Sequence, residues 1–479
     1  MVFSSLFFVF VFFILNYAAQ AMCSSIKGKN IVMLLFSLVF YAWGGPKYLL
    51  LLCGMTAICW FFAVLIDYIE DAHAKKILLI ITCAATLSLL GYFKYATFLL
   101  ENIQGLTGFP AMIPEIVLPI GISFYTFQLL SYVADVYRGE VRAQKRYWVL
   151  LFYASLFHQC IAGPIVRYQD VEYDILHRRI SLYDTSRGIT RFSIGLAKKA
   201  LLANSCAVLA DSLLPLDADK LATASGFAVF LGGLCYMLQI YLDFSAYSDM
   251  AIGMGLMEGF HYLENFNYPY TSDSITDFWR RWHISLGSFF RDYVYIPLGG
   301  NRCSKGRQVF NLCAVWFLTG LWHGASWNYV LWGLYFLVFL LLEKFVWKFS
   351  KESTGIFSLL RRGYAMIVVY FGWFLFRFED LGMLGTAMKN LFGGSPAGFF
   401  DTASAMSLKN NCFFLILAIL ACFPLAPALG RGLTALGRNI AGVAKVNGVL
   451  SVLIPPMLVL VSLLALVGNS YNPFLYFQF

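Results

Sequence analysis

Residues 47–69 read "KYLLLLCGMTAICWFFAVLIDYI", an apolar run in which Lys47 and Asp67 are the only charged residues. At about 1.5 Å per residue, a helix of this length crosses a hydrocarbon core of roughly 30 Å. Similar runs recur through a chain that is 60% hydrophobic and only 13% charged. They lie at 3–22, 31–43, 76–100, 116–134, 186–215, 223–255, 308–322, 327–343, 363–376, 409–430 and 446–468. The sequence therefore predicts an all-α polytopic membrane protein.

The distribution of basic residues predicts the topology. Lys and Arg are absent from 101–115 and 390–406 and concentrate at 137–147, 167–199, 280–307, 344–352 and 430–445. Cytoplasmic loops carry the excess of basic residues, so the basic stretches are expected in the cytoplasm and the other two outside. Both termini then fall on the outer side. The first run, "MVFSSLFFVFVFF", lacks the basic segment of a secretory signal and is expected to span the membrane.

The run 147–163, "YWVLLFYASLFHQCIAG", is apolar but has basic loops at both ends, so it cannot simply cross the membrane. It carries two polar side chains, His158 and Gln159, and leads into Pro164. Irregular backbone at membrane depth is tolerated only inside protein or beside a water-filled cavity. We therefore expect a re-entrant segment buried among other helices.

A second unusual stretch, "ITDFWRRWHISLGSFFRDYVY" at 275–295, combines aromatic and charged residues at helical spacing. Its apolar side carries Phe278, Trp282, Leu286, Phe289 and Tyr293. Its opposite, polar side carries Asp277, Arg280, Arg281, Ser288 and Arg291. The pattern predicts one continuous helix at the membrane interface. Asp277 lies near the N-terminus of this helix, where a carboxylate is favourable. Ile275 and Thr276 are expected to precede the helix. His283 is expected at the edge of the apolar side, in line with Trp279 and Phe290, and facing protein.

The stretch "GLWHGASWN" (320–328) places His323, one of six histidines, between Trp322 and Trp327. One interpretation is a structural histidine, hydrogen-bonded inside the bundle or resting in an aromatic belt. The other is a general base active near neutral pH. Small residues surround the ring and suggest a cavity beside it: Gly320, Gly324, Ala325 and Ser326.

Basic residues lie on both sides of His283 in the sequence. Arg280 and Arg281 would keep its ring neutral by like-charge repulsion, although His283 could equally be an interfacial residue without a catalytic role. The wider basic cluster consists of Arg280, Arg281, Arg291, Arg302, Lys305 and Arg307. Such a cluster anchors lipid headgroups and sets topology, and it could also bind the phosphates of an acyl donor such as coenzyme A.

Two aspartates, Asp243 and Asp249, interrupt the apolar stretch "YLDFSAYSDMAIGMG" (241–255). They could serve proton coupling in a secondary transporter, or they could neutralise buried basic partners. The sequence contains no phosphate-binding loop, no GxSxG elbow and no zinc-binding motif. Its cysteines lie mostly singly in apolar runs with no CxxC pair, which argues against disulfides and a metal site. No nucleic-acid partner is expected.

Several long stretches resemble the membrane-bound O-acyltransferase (MBOAT) family, and within it the bacterial AlgI-type branch. They are "LPIGISFYTFQLLSYVADVYRG" (118–139), "IAGPIVRY" (161–168), "YLDFSAYSDMAIGMG" (241–255), "NFNYPYTSDSITDFWRRWHISLGSFFRDYVYIPLGGNR" (265–302) and "GLWHGASWNYVLWG" (320–333). The resemblance implies a single membrane domain, 1–479, with a catalytic core at about 116–345. It also implies a ring of about 11–13 transmembrane helices, with re-entrant and interfacial helices around a thinned centre.

The resemblance also implies roles for individual residues. His323 matches the family's invariant histidine, and His283 matches the second functional position of the "FWxRWH" element. His323 would act as general base on the acceptor hydroxyl or would itself take the acyl group briefly, and His283 would polarise the thioester carbonyl. Residues expected to bind the donor or support the site are Arg280, Arg281, Trp282, Asp277, Asn301, Arg302, Asp243, Asp249, Gln159, Trp322 and Ser326. No metal is implied and no tightly bound cofactor. The donor would be acetyl-CoA or an acyl-carrier thioester.

The function implied by the resemblance is O-acetylation of a cell-surface polysaccharide such as alginate, carried out in the bacterial cytoplasmic membrane. Partners would be membrane lipids, the polysaccharide, and an extracytoplasmic SGNH-type acetyltransferase or a small membrane acceptor protein. Transfer of D-alanyl groups or O-acylation of peptidoglycan by the same fold are alternatives. A proton-coupled transporter and a scaffold that only anchors a polymer-modifying complex are alternatives of other classes.

Overall fold

The computed structural model describes residues 1–108, 116–160, 163–347 and 355–468. Helices make up its regular structure, and no strand occurs within these ranges. Parts of four predictions lie outside the described residues: the second half of the outer loop 101–115, two residues of 147–163, the end of the basic stretch 344–352, and the last residues of the chain.

The first part of the chain forms five α-helices. A π-helical segment, Phe8–Phe12, leads directly into the first of them. The helices are α1 (Phe13–Ala21), α2 (Ile26–Ala42), α3 (Pro46–Tyr68), α4 (Ala72–Thr107) and α5 (Ile122–Arg138). The predicted run 116–134 becomes helical only at Ile122, because Gly121 before it adopts a left-handed conformation with φ of 73°.

The central part contains short buried helices and two long ones. Its helices are α6 (Tyr147–Ser155), α7 (Phe157–Cys160), α8 (Tyr168–His177), α9 (Leu182–Ala197), α10 (Asn204–Leu213), α11 (Ala218–Thr223) and α12 (Gly226–Met257). A π-helical segment, Lys198–Ala203, joins α9 and α10 into one rod. A short 3₁₀ turn, Pro269–Thr271, follows α12.

The last part carries the two predicted histidines. Its helices are α13 (Ile275–Arg281), α14 (Ile284–Phe290), α15 (Lys305–His323), α16 (Trp327–Leu341), α17 (Ile356–Arg377), α18 (Leu381–Lys389), α19 (Thr402–Ala421), α20 (Leu425–Gly437) and α21 (Ala441–Gly468). Short π-type segments follow α14, α16 and α18, at Arg291–Tyr295, Leu342–Trp347 and Asn390–Gly394.

Within the described part, eight helices are long and apolar enough to cross a membrane. They are Pro46–Tyr68, Ala72–Thr107, Leu182–Leu213, Gly226–Met257, Trp327–Trp347, Ile356–Arg377, Thr402–Ala421 and Ala441–Gly468. The predicted fold class, an all-α polytopic membrane protein, is confirmed. The ring of 11–13 spans and the thinned centre stay predictions.

A spanning helix is confirmed in the region predicted at 409–430, but it lies at Thr402–Ala421 and the predicted end at 430 is wrong. Helix α19 ends at Ala421, the chain turns, and α20 begins at Leu425. Pro424 lies in this turn, where its missing N–H and its ring prevent the helix from continuing. Residues 430–445, predicted as a basic loop, instead lie mostly in α20 and the start of α21.

Helix α12 is the centre of the fold and packs most closely on α9. A Cβ placed on Gly188 would lie 2.5 Å from the backbone oxygen of Gly253, and one on Gly195 would lie 2.7 Å from that of Ala246. These glycines let the two backbones touch, as small residues do between helices in membranes. The contact brings the basic residues of the α9–α10 rod against α12.

The described residues of the segment 147–163 form the two short helices α6 and α7, broken at Leu156. Residues 149–159 are buried, as expected of a segment enclosed by protein. Gln159 donates from Nε2 to the backbone oxygen of Tyr153 at 2.6 Å, which satisfies a carbonyl near the break. His158 lies 3.0 Å from Glu258 at the end of α12. The Gln159 contact therefore stabilises the break between α6 and α7, and the His158 contact fixes this segment to the end of α12.

The continuous interfacial helix predicted for 275–295 is wrong, because the chain breaks at Trp282 and His283 between α13 and α14. The neighbouring segment supplies the lost hydrogen bonds. The Asn267 N–H donates to Arg281 O, and the Ile284 N–H donates to Asn265 O, both at 2.9 Å. His283 consequently does not line up with Trp279 and Phe290 on one helix face, although it is buried in protein as expected.

The start of α13 is fixed from outside the helix. Ile275 and Thr276, predicted to precede it, are its first residues, and Ser274 is the N-cap. The carboxylate of Glu343 accepts from the N–H groups of Ile275 at 2.6 Å and Thr276 at 2.8 Å. A negative charge at a helix N-terminus is favourable, so Glu343 anchors α13 to the π-type segment that follows α16.

Candidate active site

His323 is the last residue of α15, and its ring is buried. Its Nδ1 atom lies 2.7 Å from the backbone oxygen of Thr319, one turn earlier in the same helix. A carbonyl oxygen can only accept, so Nδ1 donates and the lone pair of the neutral ring lies on Nε2. The helix itself therefore fixes the tautomer that a general base acting through Nε2 requires.

Aromatic rings enclose His323. The ring centroids of Trp332, Trp322 and Phe376 lie 4.6, 4.9 and 5.5 Å from that of the imidazole. Rings at these distances exclude water and lower the local dielectric, which strengthens any electrostatic interaction made there.

The open space predicted beside the small residues is filled. A Cβ on Gly324 would lie 2.2 Å from the Tyr329 ring, and one on Gly320 would lie 2.5 Å from the Tyr329 backbone oxygen. The prediction of a cavity at these glycines is therefore wrong, because they serve the close approach of α15 and α16. Ser326 is the N-cap residue of α16 and makes no side-chain cap hydrogen bond.

His283 lies in the break between α13 and α14 with φ of 45°, a conformation that few non-glycine residues adopt. Its Nδ1 lies 3.2 Å from Oδ1 of Asn265, which also accepts from the backbone N–H of Ser285 at 3.2 Å and from its hydroxyl at 2.9 Å. Nδ1 is therefore the donor, and Nε2 has the lone pair. That atom is buried and has no hydrogen-bond partner among the described residues.

Trp322 lies between the two histidines. Its ring centroid is 5.5 Å from that of His283 and 4.9 Å from that of His323. On its other side the imidazole of His283 contacts Phe244, with centroids 4.7 Å apart. The structure thus brings together three predicted residues, and each histidine has the same tautomer fixed by a hydrogen bond at Nδ1.

Sequence reasoning missed Lys94 of α4, whose ammonium reaches the site. It donates to the backbone oxygen of Trp322 and, at 3.3 Å, to Oγ of Ser123 on α5. Its Nζ also lies 5.8 Å from the centroid of the Trp322 ring. The sequence did contain an indication, since a lysine deep inside the apolar run 76–100 is costly and is by default a functional candidate.

An apolar cavity of about 970 Å³ ends at Trp322. Helices α4, α5, α14 and α15 contribute its walls, which include Leu87, Leu130, Ala134 and Leu318. Charged residues also line it, among them Arg138, Arg167 and Asp292. Arg138 lies about three turns along α5 from Phe127, whose ring contacts that of Trp322, so the charged end, called here the mouth, lies away from Trp322. The cavity therefore connects a charged mouth to the tryptophan that contacts both histidines.

The charged mouth is ordered by Asp292. Its carboxylate accepts from Arg167 at 2.6 Å and from Arg291 at 2.7 Å, while its backbone oxygen accepts from Arg138 at 2.8 Å. Burial by itself raises the pKa of the Asp292 carboxyl, but hydrogen bonds from Arg291 and Arg167 outweigh it and lower that pKa below its ordinary value. The carboxylate thus remains charged and holds the arginines in place.

Most of the predicted donor-binding residues lie elsewhere. Arg280, Arg281, Asp277 and Asn301 border a separate, more polar cavity of about 940 Å³. Asp277 accepts from Arg281 at 2.9 Å, an ion pair within α13. Asn301 accepts from Tyr295 at 2.8 Å and from Lys344 at 2.7 Å. Arg302 is exposed on the surface, and Trp282 is buried against Trp373 with ring centroids 4.9 Å apart.

Asp243 and Asp249 are ion-paired to the rod of α9 and α10. Asp243 lies 2.7 Å from Nζ of Lys199, and both side chains are almost fully buried. Asp249 contacts Lys198 and lies 2.6 Å from Nε of Arg191. Six residues on an α-helix turn through about 600°, so the two carboxylates point in directions roughly 120° apart. They neutralise separate basic partners rather than forming one shared acidic site.

The fold and the site define a polytopic α-helical membrane protein with a buried pair of histidines, each hydrogen-bonded at Nδ1. Within the described residues, no group of three or more His, Cys, Asp or Glu side chains is placed to hold a metal ion. Residues 147–385 match the membrane-bound O-acyltransferase family, MBOAT.

Relatives that match over most or all of their length agree with this match. The chain is 35% identical to a probable alginate O-acetylase, AlgI, from Azotobacter vinelandii, over 100% of both proteins. It is 38% identical to the probable alginate O-acetylase AlgI of Pseudomonas aeruginosa, over 89% of this chain and 82% of the relative. A peptidoglycan O-acetyltransferase from Helicobacter pylori is 32% identical over 82% of this chain and 80% of its own length. The protein belongs to the MBOAT family and is an O-acyltransferase.

Proposed function

We propose that this enzyme moves an acetyl group from a cytoplasmic thioester to an extracytoplasmic hydroxyl, for O-acetylation of a cell-surface polysaccharide such as alginate. The observation that carries the chemistry is the histidine pair, in which both rings keep Nδ1 hydrogen-bonded and a lone pair on Nε2. The similarity to probable alginate O-acetylases over most of the chain supports the acetyl group and the polysaccharide.

The donor, acetyl-CoA or an acyl-carrier thioester, enters through the apolar cavity. Its phosphates bind near Arg138 and Arg167, because guanidinium groups pair with phosphate oxygens and both arginines line the mouth. Its acyl end then reaches Trp322. The sequence predicts that Arg280 and Arg281 bind these phosphates. They border the other cavity, so we assign the phosphates to Arg138 and Arg167 instead.

His323 is the general base of the transfer. Its Nε2 takes the proton of the acceptor hydroxyl while the hydroxyl oxygen attacks the thioester carbonyl carbon. The tetrahedral intermediate collapses, its C–S bond breaks, and the departing thiolate takes the proton back from the imidazolium. The products are an ester and a free thiol, and no other reactant is needed.

His283 has a more conditional role. In its present tautomer Nε2 accepts and cannot donate to an oxyanion. When Nε2 has bound a proton from water before the reaction, it donates to the carbonyl oxygen, stabilises the negative charge there by a few kcal/mol, and keeps the proton when the intermediate collapses. Asn265 keeps the ring oriented in both forms, because its Oδ1 accepts from Nδ1.

The acceptor is a serine-type hydroxyl on an SGNH-type acetyltransferase or on a small membrane protein outside the cell, which passes the group to the polysaccharide. The bacterial relatives support a location in the bacterial cytoplasmic membrane, and the distribution of Lys and Arg supports an orientation with both termini outside.

The test is polymer O-acetylation in a strain deleted for this gene and complemented with variants at matched membrane levels. His323→Ala and His283→Ala are expected to abolish or strongly reduce acetylation, whereas His73→Ala, at an exposed histidine, leaves it unchanged. Normal acetylation by both active-site variants would refute the proposal. Mass spectrometry of the polymers distinguishes acetyl from D-alanyl transfer and polysaccharide from peptidoglycan.

A further inference from the structure

Two adjacent side chains of α4 cap the C-terminal end of α15, the helix that carries His323. Lys94 donates from Nζ to the backbone oxygen of Trp322. Tyr95 donates from its hydroxyl to the backbone oxygen of Leu321 at 2.7 Å. The two carbonyl groups immediately before His323 are therefore both bound by one neighbouring helix, and that of Leu321 also accepts from the Gly324 N–H at 3.2 Å.

The end of a helix needs such partners. The last four carbonyl groups of an α-helix have no partner within the helix, and in a buried apolar site an unpaired carbonyl is costly. A cation at this end is also favourable, because the carbonyl dipoles point towards it. Lys94 meets both needs with a group that is itself costly to bury at membrane depth.

The cap also lies where the donor arrives. Tyr95, Leu321 and Trp322 all line the apolar cavity at its inner end. Lys94 is in addition joined to Ser123 of α5, so the last turn of α15 is connected to two of the helices that form the cavity wall.

We propose that Lys94 and Tyr95 are positioning residues for acyl transfer. They hold the last turn of α15 against α4, and so keep Nε2 of His323 in line with the acyl group delivered through the cavity. This inference rests on the proposed function. An error of about 1 Å in the position of a reacting group costs about 100-fold in rate, so loss of the cap lowers turnover without weakening donor binding.

The experiment compares Lys94→Met and Tyr95→Phe with two matched controls on the same helix, Lys76→Met and Tyr92→Phe, whose side chains are exposed. Polymer O-acetylation is measured in cells. Thiol release from acetyl-CoA is measured in membrane vesicles above the background of His323→Ala, and kcat and KM are determined separately. The full-length protein is used, and membrane levels are matched.

We expect Lys94→Met to lower kcat 10- to 100-fold and Tyr95→Phe to lower it 3- to 10-fold, with KM for acetyl-CoA within twofold of wild type. If Lys94→Met fails to insert, Tyr95→Phe decides, since it removes a single oxygen atom. A kcat within twofold of the controls, or a change confined to KM, overturns the inference. If His323→Ala retains activity, the proposed function is contradicted, and this inference is contradicted with it.

Discussion

The imidazole of His283 and the side-chain amide of Asn265 are joined by a hydrogen bond of 3.2 Å between Nδ1 and Oδ1. The same oxygen accepts from the Ser285 N–H at the start of α14, so one side chain sets both the ring and the helix after the break. We expect Asn265→Ala to reduce polymer O-acetylation about 10- to 100-fold, because the ring loses its orientation. Asn265→Asp, which keeps an accepting oxygen, should retain more activity than Asn265→Ala.

The control for this pair is Asn267→Ala. Asn267 is exposed and joins the break only through its backbone N–H, which alanine also has. Equal activities of Asn265→Ala and Asn267→Ala would contradict a positioning role for Asn265.

Filling the apolar cavity should block the donor. Ala134 lines the cavity between its mouth and Trp322. We expect Ala134→Trp to reduce acetylation at least 10-fold, because the indole occupies the path of the acyl chain, whereas Ala134→Ser at the same position retains most of the activity. Acetylation by Ala134→Trp at the level of Ala134→Ser would show that the donor takes another route.

The charged mouth can be distinguished from the more distant basic cluster by kinetics. We expect Arg138→Gln to raise KM for the thioester donor about 5- to 20-fold at nearly unchanged kcat, because a phosphate contact is lost far from the reacting carbonyl. Arg302→Gln and Arg280→Gln, at exposed arginines, should leave KM within twofold of wild type. If KM rises for Arg280→Gln and not for Arg138→Gln, the donor phosphates bind in the cavity that Arg280 borders, and the proposed site at Arg138 is wrong.

The buried pair of Asp243 and Lys199 should matter for stability rather than for proton coupling. Asp243→Asn removes the carboxylate 2.7 Å from a buried ammonium, and we expect it to lower the free energy of unfolding in detergent by about 3 kcal/mol. Combining it with Lys199→Met should restore most of the loss. Glu264→Gln, at an exposed partner of Arg191, should change stability by less than about 1 kcal/mol.

A transporter would behave differently. Uptake of a solute that depends on Asp243 and not on His323 would contradict the stability interpretation. Restored stability and acetylation in the double variant would confirm it.

The sequence predicts the spanning helices well, because each depends on one continuous run of apolar residues. The stretch 47–69 matches the spanning helix Pro46–Tyr68 to within one residue at each end, and 223–255 matches Gly226–Met257 to within three. Here hydropathy decides, because a membrane leaves a long apolar segment few alternatives to a helix. The pairing of His283 with His323 came from resemblance, since no periodic pattern relates two residues on different helices.

What the sequence could not show depends on contacts between distant segments. Aromatic spacing across 275–295 indicates a continuous helix, yet Asn265 and Asn267 compete for its backbone hydrogen bonds and stabilise the break. The glycines at 320 and 324 could mean either space or close packing, and only the position of Tyr329 decides between them. Lys94 was detectable as a costly charge, but its partner carbonyl was not.

The two histidines differ in what holds them, and this difference sets how each can change over evolutionary time. The proton on Nδ1 of His323 is held by the backbone oxygen of residue 319, which every amino acid supplies. Substitutions at Thr319 that preserve the helix therefore leave the basic nitrogen unaltered. His283 relies on the side chain of Asn265, so a single codon change can remove its support. The orientation of one histidine therefore tolerates substitution of its partner residue, whereas the orientation of the other does not.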